Sequence, residues 1–486
     1  MSGHNMVTWR DFEGVDGFGQ ASQQDFADLR KALVAGSAVN APAAFTPGDG
    51  FALRVESLEN TVKSTTFRME HIKLLKAIAK IPAFNTVEEY NRVTSYGALS
   101  QGAFVAEGAL PEETDATYER VIAAIKFMGT TRRVSHVMSL VKPAHGNVIA
   151  QETVAGTMYL LRQIEKALFV ADSTVDAIEF DGLERLIRAG APATHVIDLR
   201  GAAINEDNLV DSALTISNAP AFGMATDLHL NPTAHADLAK SFFPKARYDL
   251  MQKPDGQVGL SISGFMSPSG TVRFNSNVFL DDGGAAPTAA VGDADKRPQT
   301  PTLSAAPSSA APPAGLTSLW AAGTGAHDAG AYVWQVTANS RFGASVPVRV
   351  PATGTFTTVA TQSTSFGVTP AGGPQPASYS VYRTTRGGTS TARFVFRVAN
   401  AAGAGATTIR DDNTFLPGTT RAFMIQQDRT NLALSQLAPM IRVPLATIDP
   451  SIRWMQLQYL TMKLYTPAHN TIIQNVGRSS GFVGTP

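Results

Sequence analysis

The spacing of hydrophobic positions changes several times along this chain. Asp25–Ala35 carries Phe26, Leu29 and Leu33 at helical spacing, and Gly36 ends the run. The turn-rich stretch VNAPAAFTPGDG follows, so residues 1–50 read as an arm that packs on something else. Leu58, Val62, Met69, Ile72 and Leu75 form one stripe, which predicts a helix over Leu53–Ile81, broken near Thr65-Thr66 and stopped by Pro82. Thr86–Arg92 reads as a short helix with Thr86 as its cap and Glu88 and Glu89 in the first turn. From Thr117 to Val134 the period falls to two, predicting one long strand with Val121, Ala123, Ile125 and Phe127 on one face. A two-stranded ribbon of this kind cannot bury its own faces and needs a partner surface. The strongest helical period is Asn147–Asp172, through Val148, Glu152/Ala155, Tyr159, Leu160, Ile164 and Leu168. At 1.5 Å per residue it spans roughly 35–40 Å.

Beyond it the pattern mixes. Leu183–Ile187 reads as helix, Met224–Leu230 as strand, and Asn231-Pro232 opens a helix over Thr233–Lys240. Val258–Ile262 and Val272–Asn275 read as strands around a Ser-Pro-Ser-Gly turn, an α+β pattern. Gly283–Leu316 is rich in Ala, Pro, Gly, Ser and Thr and reads as linker. Period-2 runs then recur at Ala331–Ala338, Val346–Val350, Thr355–Val359, Ala377–Arg383, Ala392–Val398 and Ala406–Arg410, with no helical pattern between 300 and 420. That spacing predicts a β-sandwich of about 100 residues. Leu432–Leu445, Ile452–Tyr465 and Asn470–Val476 are again strand-like, so the sandwich is an insertion into another domain.

Composition narrows the function. Among 486 residues, Lys+Arg and Asp+Glu both number 40, and charged residues are only 16%. Zero net charge and sparse charge favour association, and the absence of basic excess argues against a dedicated nucleic-acid binder. Zero Cys removes disulfides, Cys-zinc sites and thiol nucleophiles. No apolar run is long enough for a membrane helix, and Met1–Gln20 has no apolar core of a secretory signal. None of the H-E-x-x-H, G-x-S-x-G, P-loop or G-x-G-x-x-G motifs occurs. His229 and His235 are the closest histidines, but their spacing crosses a strand-to-helix turn, which favours packed histidines over metal ligands. Asp411-Asp412 reads as a turn. The acids Glu107–Glu119 read as a charged ribbon tip rather than a hydrolytic pair, and adjacent Arg132-Arg133 point to opposite faces of a strand, where carboxylates pair with them. No catalytic residue, cofactor or metal is expected.

NTVEEYNRVTSYG (Asn85–Gly97), FVAEGALPEETDATYERVIAAIKFMGTTRRVSHVMSLV (Phe104–Val141) and the long helix after them resemble the major capsid proteins of tailed bacteriophages, which have the Hong Kong 97-type shell fold. AYVWQVTANSRFGAS (Ala331–Ser345) and SYSVYRTTRGG (Ser378–Gly388) resemble an immunoglobulin-like or fibronectin type III module without its cysteine pair. The resemblance implies an N-terminal arm (1–70), a peripheral domain (71–95 and 135–210, spine helix 147–172) and an extended loop over a neighbouring subunit (96–134). It further implies an axial domain (211–282), a linker with the inserted sandwich on the outer surface (283–424), and C-terminal strands that complete the core (425–486).

The implied role is structural. Copies form hexamers and pentamers of an icosahedral shell around double-stranded DNA, touched by weak non-specific contact, in a virion assembled in the host cytoplasm. The implied partners are a portal protein, a separate scaffolding protein and a decoration protein. Contacts between subunits are expected from Glu107, Glu112, Glu113 and Asp115 at the loop tip and from Lys126, Arg132 and Arg133. The competing readings are an encapsulin-like compartment shell and a carbohydrate-active enzyme with a fibronectin-like module.

Overall fold

The computed structural model describes residues 66–97, 104–110, 113–141, 146–250, 262–267, 270–280, 284–401, 403, 405–446 and 449–479, with backbone alone for 243–250. The chain forms two compact units. Of the smaller, residues 1–64 with 137–148, only 137–141 and 146–148 are described, so the expected helices at 25–35 and 53–65 and most of the expected arm lie outside the described residues. The larger unit, 65–136 with 149–486, is described below. Its class is the expected α+β.

The long helix forms where the pattern places it, over Val148–Val170. Gly156, Leu160, Ile164, Leu168 and Phe169 make its buried stripe, mostly at four-residue spacing, so they share one face. That face lies on a four-stranded sheet in the order Ala79–Pro82, Leu432–Pro444, Ser451–Leu464, Lys126–Ser135. Gly156 lets helix and sheet approach. A Cβ there would lie 2.0 Å from the Gln456 carboxamide oxygen, while Gln456 Nε2 donates to Thr153 O at 2.9 Å and to Thr157 Oγ1 at 3.1 Å. Leu434, Leu460, Met462 and Leu464 close the core from the sheet side, with Leu183 and Ile187 of the helix Leu183–Gly190.

Three expectations fail around this core. The described part of Leu53–Ile81 is not one helix: it is a 3₁₀ turn at Met69–His71, a single helical turn at Leu74–Ala77 and the strand Ala79–Pro82. That strand pairs in parallel with residues 433–436, a partner more than 350 residues away that no local period reports. Thr86–Arg92 is not helix either. Val87–Ser95 is a strand, antiparallel to Thr117–Ala124. The expected long strand 117–134 is two strands, Thr117–Ala124 and Lys126–Ser135. Ile125 between them is buried, and the alternation slips there by one, so Phe127 turns outward while Val121 and Ala123 face the body.

At the centre of the helix's buried stripe stands a carboxylate. Glu165 is wholly buried. It accepts from the backbone N–H groups of Lys73 (3.0 Å), Leu74 (2.8 Å) and Leu75 (2.9 Å), and from Asn277 Nδ2 (2.7 Å). The first three are unpaired donors at the start of a helical turn, which an acid satisfies. One side chain thus ties together the strap before Ala79, the spine helix and the loop at 277.

A second sheet has the order Val196–Asp198, Asn470–Val476, Thr420–Ile425, Asp227–Leu230, Gly270–Ser276, Gly264–Ser267. Asn470–Val476 therefore leaves the spine-helix sheet and joins the segments between 196 and 276. The helices Glu206–Ser217 and Pro232–Leu250 contribute Leu209, Ala213, Ile216 and Leu238 to its core. Pro232 holds the first helical position, as expected, and Asn231 Oδ1 accepts from Thr233 N. Of the expected strand Val258–Ile262, residues 258–261 lie outside the described residues.

Residues 291–411 form the sandwich. One sheet runs Thr302–Ala310, Ser363–Thr369, Thr407–Asp411 and the other is built around Trp334–Ser340 and Ser378–Arg383. Trp320, Tyr332, Trp334, Val336, Phe366, Tyr379 and Ile409 fill the space between. The expected linker 283–316 is not all linker: Thr302–Ala310 is an edge strand of the sandwich. Its Ala/Ser/Pro composition hides it, and Pro307 sits where the register shifts between Ala305 and Ser308, an edge bulge that needs no N–H. Asp411 ends the last strand rather than forming a turn before it. Its carboxylate takes Arg383 at 2.6 Å and Trp334 Nε1 at 2.8 Å, and Asp412 pairs with Arg410.

Replacing Glu165 by Ala leaves three buried donors and the part-buried Lys73 N–H without an acceptor, each buried one worth about 1–3 kcal/mol and not fully additive. A loss of at least about 3 kcal/mol is expected in denaturant unfolding; a loss below about 1 kcal/mol would contradict the role given to this carboxylate. Burial also holds His229 and His327 at about 4, below the ordinary 6.5. The unfolded chain therefore binds more protons between these values, so stability is full above pH 6.5 and falls toward pH 4. The denaturation midpoint should drop across that window; a flat profile would contradict the assignment.

Candidate assembly surface

Val87–Ser95 and Thr117–Ala124 form a two-stranded ribbon, with Ala83 and Ile125 buried at its base. At about 3.4 Å per residue it is roughly 27 Å long. Register puts Glu88, Tyr90 and Arg92 opposite Ala123, Val121 and Glu119. This face meets the body. Glu88 takes Lys463 Nζ at 2.6 Å, and that bond is the main cause of its lowered pKa. Tyr90 OH donates to Leu464 O at 3.1 Å, its ring meets Tyr465 edge-on at 4.9 Å, and burial raises its phenol to about 12. Arg92 and Glu119 pair across the strands at 2.8 Å.

The opposite face carries Val87, Val93, Tyr118 and Ile122, all exposed; Tyr118 is 70% and Ile122 62% open. Beside them Arg120 pairs with Glu89 at 3.3 Å. At the described part of the tip, Tyr96 (87%), Phe104 (98%) and Leu110 (91%) are open too. Surface of this kind is worth about 25 cal/mol per Å² once covered. Concentrated exposed apolar area on a thin ribbon marks a binding surface.

The expected contact residues divide by position. Glu107, Glu113 and Asp115 lie exposed along the tip; Glu112 lies outside the described residues. Lys126, Arg132 and Arg133 are not on the ribbon but on the strand Lys126–Ser135 of the spine-helix sheet. Lys126 Nζ donates to Ala177 O at 2.6 Å. Arg132 turns in to Glu152 of the spine helix at 3.4 Å, and Arg133 turns out to Asp449 at 3.6 Å. The two arginines do face opposite ways and do meet carboxylates, all within one chain. Thr86 as a cap and the acids Glu88 and Glu89 after it read as a helix start and mask the ribbon's first strand. Its β-branched and aromatic content (Thr86, Val87, Tyr90, Val93, Thr94) was the available signal.

The histidines do not converge. His229 is fully buried, its ring 5.6 Å from Phe169, while His235 Nε2 lies 2.9 Å from Ile262 O. Among the described residues no cluster of His, Asp or Glu is arranged to hold a metal ion, and no helix is long and apolar enough to cross a membrane.

No family model matches the sequence. The chain is similar to the major capsid protein of Staphylococcus phage K, 26% identical over 443 residues, covering 88% of this chain and 91% of that protein. The same figures hold for the major capsid protein of Staphylococcus phage S25-3. Among solved structures, Gordonia phage Cozz matches over 90% of this chain and 98% of that one, at 12% identity and a TM-score of 0.43.

Arg132 and Arg133 should separate in stability. Reversing Arg132 to Glu sets two half-buried acids against each other and should lower the melting temperature clearly. Reversing the exposed Arg133 should cost under about 1 kcal/mol. Equal effects in thermal unfolding would contradict the facing described.

Proposed function

We propose that this chain is the major capsid protein of a tailed bacteriophage, a structural subunit of Hong Kong 97-type organisation. Similarity to a phage major capsid protein along nearly the whole length of both chains is the observation that carries this. The structure supplies a physical reason for assembly. The body around the spine helix completes its own cores, while the ribbon presents one face to its own body and an apolar face that none of the described residues covers. A second copy whose surface covers Tyr118, Ile122, Val87 and Val93 gives the subunits a reason to stay together.

In this reading the acids Glu107, Glu112, Glu113 and Asp115 at the tip set register on the neighbour through opposite charge, which governs specificity more than affinity. Lys126, Arg132 and Arg133 act chiefly by holding the strand beneath the neighbour's ribbon, since each has an intrachain partner. Hexamers and pentamers enclose double-stranded DNA without a basic wall, in keeping with 40 cations balanced by 40 anions. A portal, a scaffolding protein and a decoration protein complete the set of partners proposed, and assembly takes place in the host cytoplasm.

The test is electron microscopy of particles formed by the expressed chain, alone and with a co-expressed scaffolding protein, against a variant carrying Tyr118→Lys and Ile122→Lys. Both sites are exposed, so each substitution should move stability by no more than about 0.5 kcal/mol. Shells from the parent chain and only dispersed, folded subunits from the variant are expected. Normal shells from the variant would overturn the ribbon's role, and no assembly of the parent under any condition would overturn the capsid reading.

A further inference from the structure

The inserted sandwich is held to the body where the chain returns from it and, separately, through its strand Arg393–Ala399, which lies beside the entering segment 284–286. The chain crosses into the insertion after Val278–Leu280 and returns before Thr420. The return is pinned by Asn475, whose side chain donates to Thr414 O at 2.8 Å and accepts from Leu416 N at 2.9 Å. Arg200 of the body adds bonds to Asn413 O at 2.7 Å and to Leu319 O at 3.0 Å.

A second contact lies on the strand beside the entering segment. Arg397, on the strand Arg393–Ala399, makes a two-pronged pair with Glu179: Nη1 to Oε1 at 2.8 Å and Nη2 to Oε2 at 2.7 Å. Nη2 also reaches the carbonyl of Val170, the last residue of the spine helix, at 3.3 Å. A helix C-terminus leaves carbonyls unpaired and carries partial negative charge, so a cation there is favourable. Arginine, with its planar fork, can hold a carboxylate and a carbonyl together.

A bulge in the sandwich makes this possible. Val381 pairs with Phe396 but Tyr382 with Phe394, leaving Val395 as the extra residue. Phe396 and Val398 therefore pack into the sandwich, while Phe394 and Arg397, three positions apart, share the face toward the body. Bulges re-aim side chains in this way. A cleft of about 950 Å³ lies between that face and the C-terminal half of the spine helix, so the two surfaces are bridged rather than packed, and Arg397 spans the gap. On the body side Glu179 also accepts from Asp172 N at 3.1 Å, which closes the loop 172–181.

We infer that the inserted sandwich is an internal brace: through Arg397 it caps the spine helix and clamps the loop 172–181, so the helix end and the sandwich move as one piece. This does not rest on the capsid reading, because it concerns one chain by itself. It gives the sandwich a task inside the subunit, distinct from display of a binding surface to an outside partner.

Hydrogen exchange read by mass spectrometry on the full-length folded subunit tests it. Arg397→Met should speed exchange in peptides covering 166–181 at least tenfold, while Trp334–Ser340 and Ser378–Arg383 inside the sandwich keep their protection. Glu179→Gln, which alters only the body side, should speed the same peptides, and the double variant should be no faster than Arg397→Met. Arg397→Lys should restore only part of the protection. Unchanged exchange over 166–181 in either single variant would overturn the inference. So would acceleration of the sandwich strands in Glu179→Gln, which would mean general loosening rather than a released clamp.

Discussion

A buried carboxylate with four neutral donors holds this subunit together. Glu165 satisfies the start of the turn at Leu74, the side chain of Asn277 and, by its own place in the stripe, the spine helix. Burying a charge is costly unless its lone pairs are filled, and here they are filled by donors that would otherwise be orphaned. The consequence is positional. The strap at 73–75 leads directly into Ala79–Pro82 and then into the ribbon, so the ribbon springs from a base fixed to the longest rigid element of the body.

That base and the ribbon are energetically unlike. The spine helix, its sheet and the second sheet each close over apolar side chains from both sides. Among the described residues the ribbon closes over one face only. Its inner face is fixed to the body by Glu88 and Tyr90, so it cannot roll to hide Tyr118 and Ile122 without breaking those bonds. Fixing the inner face is what keeps the outer face available to another molecule.

What the sequence made legible follows from where each element finds its burial. The spine helix and the strands at 432–444, 451–464 and 470–476 were readable because their own side chains alternate or repeat against a wide core. Ala79–Pro82 and Val87–Ser95 were not, since their strand character comes from residues 433–436 and 117–124. Thr302–Ala310 escaped because an Ala/Ser edge strand looks like coil until its partner is known. Glu165 was invisible for a different reason: a charged residue at a core position reads as an error in the stripe, and only the three N–H groups from residues 73–75 explain it. Among the expected contact residues, Glu107, Glu113 and Asp115 lie exposed, while Lys126, Arg132 and Arg133 have partners in their own chain that sequence spacing does not reveal.

The claim beneath this account is that a single copy leaves the ribbon's outer face uncovered and that sister copies cover it. A reconstruction of the assembled particle by electron cryo-microscopy tests this most directly. The account predicts Tyr118 and Ile122 buried against a second subunit, with Glu88 still on Lys463 of its own chain. A particle in which both side chains remain open to solvent, or in which the ribbon has folded back to cover them with its own body, would contradict it.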